Sequence, residues 1–81
     1  MISKKITDHI INLIESIEEC KLLNCCKSRG HFMFYSSSQY CFISCMYDKQ
    51  KQEIHLLYAY PMNIEQGGSS DKRIIKIGRR K

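Results

Sequence analysis

No stretch of this chain stays apolar for the roughly 20 residues that a membrane-crossing helix needs, so hydropathy predicts no helical span. The start of the chain does not read as a leader. Lys4 and Lys5 run into a segment carrying Asp8, Glu15, Glu18 and Glu19 instead of an unbroken apolar core. The expectation is a cytoplasmic protein with no membrane partner. Tryptophan and valine are absent, and alanine, threonine and proline occur once each, against twelve isoleucines. Avoidance of residues with G- and C-rich codons fits an AT-rich genome such as that of a phage or other mobile element. A phosphate-binding glycine loop is lacking, because Gly67-Gly68 is followed by Ser69-Ser70-Asp71 and not by a Lys-Ser/Thr pair opening a helix. Neither a ribonucleoprotein aromatic motif, a helix-turn-helix nor a zinc finger can be read.

What is present has the composition of a folded protein. Of 81 residues, 43 % are hydrophobic and 26 % charged, which suits one globular domain over residues 1–81 and not a disordered tail. A chain of this size buries only about 60 to 65 % of its unfolded surface, and a partner or dimer interface would add stability. Five cysteines, an odd number, read as reduced thiols and not as a disulfide framework. They also make a poor metal site. Cys41 and Cys45 point the same way along one strand, but four residues at about 3.3 Å place them roughly 13 Å apart, far beyond two Zn–S bonds of about 2.3 Å. Cys25 and Cys26 are adjacent and diverge. The expectation is no metal and no cofactor.

The formal charge of +5 takes on meaning once it is located. Residues 1–71 hold seven Lys or Arg and eight Asp or Glu, a balance of −1, whereas residues 72–81 hold six basic residues and no acid. The basicity belongs to the C-terminal segment: Lys72, Arg73, Lys76, Arg79, Arg80 and Lys81.

Ile6, Ile10, Leu13, Ile14, Ile17 and Cys20 recur at three- and four-residue steps behind a capping Ser3 or Thr7, which predicts an amphipathic helix over residues 4–23 closed by Asn24. Its outer face carries Glu15, Glu18 and Glu19, acids that can meet the chain's own basic tail. Residues 25–30 then connect to strands predicted at 31–36, 40–47, 53–60 and 72–77, with a flexible loop at 62–71 built on Gly-Gly-Ser-Ser. The expected fold is α+β: an N-terminal helix packed on one face of a three- to four-stranded antiparallel sheet, in α-β-β-β-β meander order.

The central hairpin, 40–60, decides what this fold exposes. An even-length turn puts Cys41, Ile43, Cys45 and Tyr47 on the same face as Ile54, Leu56, Tyr58 and Tyr60; an odd one pairs that second set with Tyr40, Phe42, Ser44 and Met46. No Asn-Gly or Asp-Gly dipeptide chooses between them. Either way both faces keep apolar area, and one helix about 10 Å wide covers only one of them. The exposed face is expected to be an interface, for which Tyr40, Phe42, Met46, Leu56, Tyr58 and Tyr60 are the candidates. The partner is a protein or a second copy of the chain.

Two other readings compete. His31 and His55, with Tyr35, Tyr47, Tyr58, Arg73 and Arg79 as neighbours, could supply a metal-independent ribonuclease. Lys72, Arg73, Lys76, Arg79, Arg80 and Lys81 could bind phosphates while strand aromatics stack on bases. The run Ile74-Ile75-Lys76-Ile77-Gly78-Arg79-Arg80-Lys81 resembles the last strand of RelE/ParE-type toxins, in which apolar residues lead into Gly and then basic residues, and the helix-before-sheet order is also similar. The resemblance implies a ribonuclease toxin. It covers eight residues, and that family's first strand and second helix have no counterpart here. The reading adopted is a small non-enzymatic binding protein, a regulator or inhibitor acting through an apolar sheet face and a basic C-terminal strand.

Overall fold

The computed structural model describes residues 2–60 and 69–77. One helix, α1 (Lys4–Glu18), precedes five strands: β1 (Lys21–Cys26), β2 (His31–Ser36), β3 (Cys41–Asp48), β4 (Glu53–Tyr60) and β5 (Ser69–Lys76). The strands pair antiparallel in chain order, and α1 packs on one face of the sheet. The α+β class agrees with the sequence, and the sheet has one strand more than expected.

The extra strand comes from a helix that stops early. Ser3 caps its start, its hydroxyl accepting from the Ile6 N–H at 3.2 Å. Periodicity carries the helix to residue 23, but Glu19 turns into the left-handed region (φ 54°). The Glu15 carboxylate then accepts the Leu22 N–H at 2.9 Å, drawing the following residues into extended structure. Cys20 still belongs to the apolar face, buried with its thiol donating to the Ile14 carbonyl. Residues 21–26, which read as helix end and connection, form an edge strand bulged between Leu22 and Asn24. At the other edge β5 begins at Ser69, so residues 69–71 of the expected loop are paired with β4. The rest of that loop lies outside the described residues.

Each connection from β1 to β4 holds four residues: 27–30, 37–40 and 49–52. Each ends on a residue of positive φ, namely Gly30 (61°), Tyr40 (54°) and Gln52 (53°). At Gly30 a side chain would also crowd the neighbouring strand, since a Cβ there would stand 3.3 Å from the Tyr47 carbonyl oxygen. Four is an even number, so the central hairpin takes the even register: Cys45 opposes Leu56 and Ile43 opposes Tyr58. Burial alternates accordingly along β2, β3 and β4. Ile10 and Ile14 of α1 close over Phe32, Phe34, Cys41, Ile43, Cys45, Ile54 and Leu56.

Between the end of α1 and the C-terminal strand lies a polar clamp. Glu18, only 6 % exposed, accepts the Tyr58 hydroxyl at 2.6 Å and the Arg73 guanidinium at 2.8 Å on Oε2. The Gln39 side-chain amide donates to the Glu18 carbonyl and Oε1. Burial, together with the hydrogen bond that the hydroxyl donates to the Glu18 carboxylate, pushes the Tyr58 phenol well above its usual range. Helical spacing places Ile17 on the apolar face, but it stands 41 % exposed while Glu18 turns inward.

Three variants test this arrangement. Glu19→Gly relieves the left-handed backbone and is expected to raise the unfolding free energy by about 0.5–1 kcal/mol, read from urea denaturation. Glu18→Ala leaves the buried Tyr58 hydroxyl unpaired and is expected to cost about 2–3 kcal/mol. Arg73→Ala, which removes a half-exposed partner, should cost under about 1 kcal/mol, and an equal loss in the two variants would contradict this ranking.

Candidate binding face

The face of the sheet turned away from α1 is assembled by the register alone. Directly opposed residues share a face, so Lys21, Tyr35, Phe42 and Ala59 form a first row across the strands. Asn24, Met33, Ser44, Leu57 and Lys72 form a second, and Cys26, His31, Met46, His55 and Ile74 a third. Asp48, Glu53 and Lys76 end it beside the 49–52 turn. Phe42 (41 %), Met46 (54 %), Leu57 (42 %) and Ile74 (55 %) are exposed there, and no described element covers them.

Polar groups are set into this apolar ground at fixed points. The Tyr35 and Phe42 rings lie 5.0 Å apart at 57°. Ser44 Oγ and His31 Nε2 are 3.2 Å apart, and His55 Nε2 is 3.1 Å from Glu53 Oε1. Lys76 donates to the other Glu53 oxygen at 2.7 Å and, with His55, holds that carboxyl below the ordinary carboxylate range. Asp48 accepts the backbone N–H groups of Gln50 and Lys51. A depression of about 300 Å³ opens on the face between Ser44, Met46, His55, Leu57, Lys72 and Ile74. A larger groove of about 550 Å³ runs between the end of α1 and β1. There Glu15 is already engaged with the Leu22 N–H.

The residues expected at the interface divide between the two faces. Phe42 and Met46 stand on the open one, and Tyr40 is exposed in the turn beside it. Leu56 and Tyr58 are buried under α1, and Tyr60 packs against the same core. The even turn at 49–52 is the reason, and it brings His55 and Leu57 to the open side instead. Met33, Tyr35, Leu57 and Ile74 belong to the face and are not among the interface candidates that the sequence offers. The even-turn alternative was the signal for Leu57.

The basic segment divides as well. Lys72 and Lys76 lie on the open face and Arg73 on the other, bound to Glu18; Arg79, Arg80 and Lys81 lie outside the described residues. Of the groups considered for ribonuclease chemistry, His31, His55 and Tyr35 share the open face. Tyr47, Tyr58 and Arg73 are on the helix side, and Arg79 is not described.

Among the described residues no three His, Cys, Asp or Glu side chains are grouped to hold a metal ion, and no helix is long and apolar enough to cross a membrane. The thiols are free and differ in environment. Burial raises Cys20 to about 11 and raises Cys45 further, while the Ser28 hydroxyl beside Cys26 lowers that thiol. No protein-family model matches the chain, and no curated protein or solved structure matches it.

Alkylation at mild alkaline pH is expected to modify Cys26 well before Cys20 or Cys45, which should react at the rate of global unfolding. Peptide mass mapping over time reads the order, and early labelling of Cys45 would contradict the burial described.

Proposed function

We propose that this chain is a small, cytoplasmic, non-enzymatic binding protein that regulates or inhibits a macromolecular partner through the open face of its sheet and the basic strand β5. The observation that carries the reading is the cluster of exposed Phe42, Met46, Leu57 and Ile74 on one face of the sheet. Five strands at about 4.8 Å and eight residues at about 3.4 Å give that face roughly 500 Å² in projection. Polar side chains share that area, but the exposed apolar ones gather within it, and a cluster of exposed apolar side chains on a small domain usually marks an interaction site. None of these four side chains is needed to close the core, which is complete beneath α1. The depletion of residues with G- and C-rich codons supports an origin in an AT-rich mobile element.

The test separates interface from core. A photo-crosslinking phenylalanine analogue placed at Phe42 or Leu57 is expected to give a discrete adduct in the source cell, and the same analogue at Ser16 on the outer side of α1 to give none. Leu57→Asp should leave the unfolding free energy within about 1 kcal/mol of the parent while abolishing the Phe42 adduct. Equal adduct yields from the sheet face and the helix would overturn the assignment.

A further inference from the structure

We infer that the occupant of the open face is single-stranded nucleic acid, with bases stacking on Phe42, Tyr35 and His55 and phosphates meeting Lys21 and Lys72. The inference rests on the reading of this face as the binding surface and names its partner.

Charge is the first argument. The two acids of the face are engaged within the chain: Asp48 by the backbone of its own turn and Glu53 by Lys76 and His55. Among the described residues neither Lys21 nor Lys72 is in an ion pair. They stand on β1 and β5, the two outer strands, about 19 Å apart by strand spacing. The face therefore presents two ammonium groups at its edges with rings and thioethers between them. A polyanion crossing the strands satisfies both edges at once, and every base offers a π-face to the centre whatever its sequence.

The second argument concerns what else could sit there. Two copies stacked face to face would bury roughly 1,000 Å² in total, the lower bound for a specific protein interface, and would bring unpaired lysines of one sign into the same contact. An acidic peptide would satisfy the lysines but makes no use of the ring pair at 5.0 Å. The depression of about 300 Å³ beside Lys72, lined by Ser44, Met46, His55, Leu57 and Ile74, adds a place for one base. Ser44 and His55 are the uncharged polar side chains in its lining.

Fluorescence anisotropy with a 12-nucleotide single-stranded RNA, the same DNA sequence and its duplex tests the proposal. Expected is tighter binding of the single strands, with affinity falling about sevenfold between 50 and 200 mM salt for two phosphate contacts and more steeply if others join. The double variant Lys21→Glu/Lys72→Glu should lower affinity at least tenfold and flatten the salt slope. Phe42→Ala should lower it at least fivefold with the slope unchanged. Lys4→Glu/Lys5→Glu on the helix should change neither. Because Arg79, Arg80 and Lys81 could bind phosphates alone, the face variants are repeated with those three replaced by Ala, where their effect should persist.

Binding that survives the face variants and vanishes only with the tail overturns the inference. So does a failure to bind single strands in a protein that sediments as a dimer dispersed by Leu57→Asp, a result that leaves the face as an interface and makes its occupant a second copy. A peptide adduct at Phe42 with no nucleic-acid affinity does the same in favour of a protein partner. Absence of both nucleic-acid binding and any face-dependent adduct removes the binding-face reading itself, and cleavage of the RNA would show that the chain is an enzyme.

Discussion

Parity governs this molecule. Side chains alternate across a strand, so the number of residues in a hairpin connection determines which side chains of the next strand join which face. All three connections from β1 to β4 hold four residues. The same parity at 37–40 and 49–52 puts Phe32 and Phe34, Ile43 and Cys45, and Ile54 and Leu56 on one side, where Ile10 and Ile14 seal them. It equally puts Met33, Phe42, Met46 and Leu57 on the other, where no described element covers them. Core and candidate binding surface are consequences of one choice, and neither can be altered by a register slip without exchanging with the other.

The sequence allowed the class and most of the strands to be read, because period-2 alternation with aromatic and β-branched residues is strong in β2, β3 and β4. It did not disclose the parity. Four-residue turns with a left-handed last residue favour Gly or Asn there, and only Gly30 obeys; Tyr40 and Gln52 occupy the other two positions. With two of three turns lacking their usual marker, both registers stayed open, and the interface candidates were drawn from both faces. Leu56 and Tyr58 fall to the core for that reason, and Leu57, between them, faces the open side. The missing strand has a similar origin. Lys21–Cys26 carries Leu22 and Leu23 at a spacing that a helix also accepts, and the stop signal is Glu19, a residue of ordinary helix propensity held in a left-handed conformation.

The clamp at Glu18 joins the two ends of the described chain. The opposite charges of α1 and the C-terminal segment were visible from composition, and their meeting was a reading the sequence permitted. That Glu18 and not Glu15 or Glu19 would make it depended on the helix rotating Ile17 outward. Arg73 is consequently committed to stability, which leaves Lys72 and Lys76 as the described basic groups of β5 on the open face. A charge run that looked like one patch serves two sides of the sheet.

The Glu15 side chain that holds the Leu22 N–H also bears on the edges of the sheet. A meander has two outer strands whose unpaired backbone groups could template further pairing with another chain. On β1 the bulge breaks the regular spacing of those groups, and a helix carboxylate occupies one of them. β5 has an unbroken register with β4 but carries Lys72, Arg73 and Lys76, charges that discourage like strands from adding. The two edges are guarded by different means, one by geometry and one by charge. The sheet can therefore leave its apolar face open without growing sideways into an aggregate.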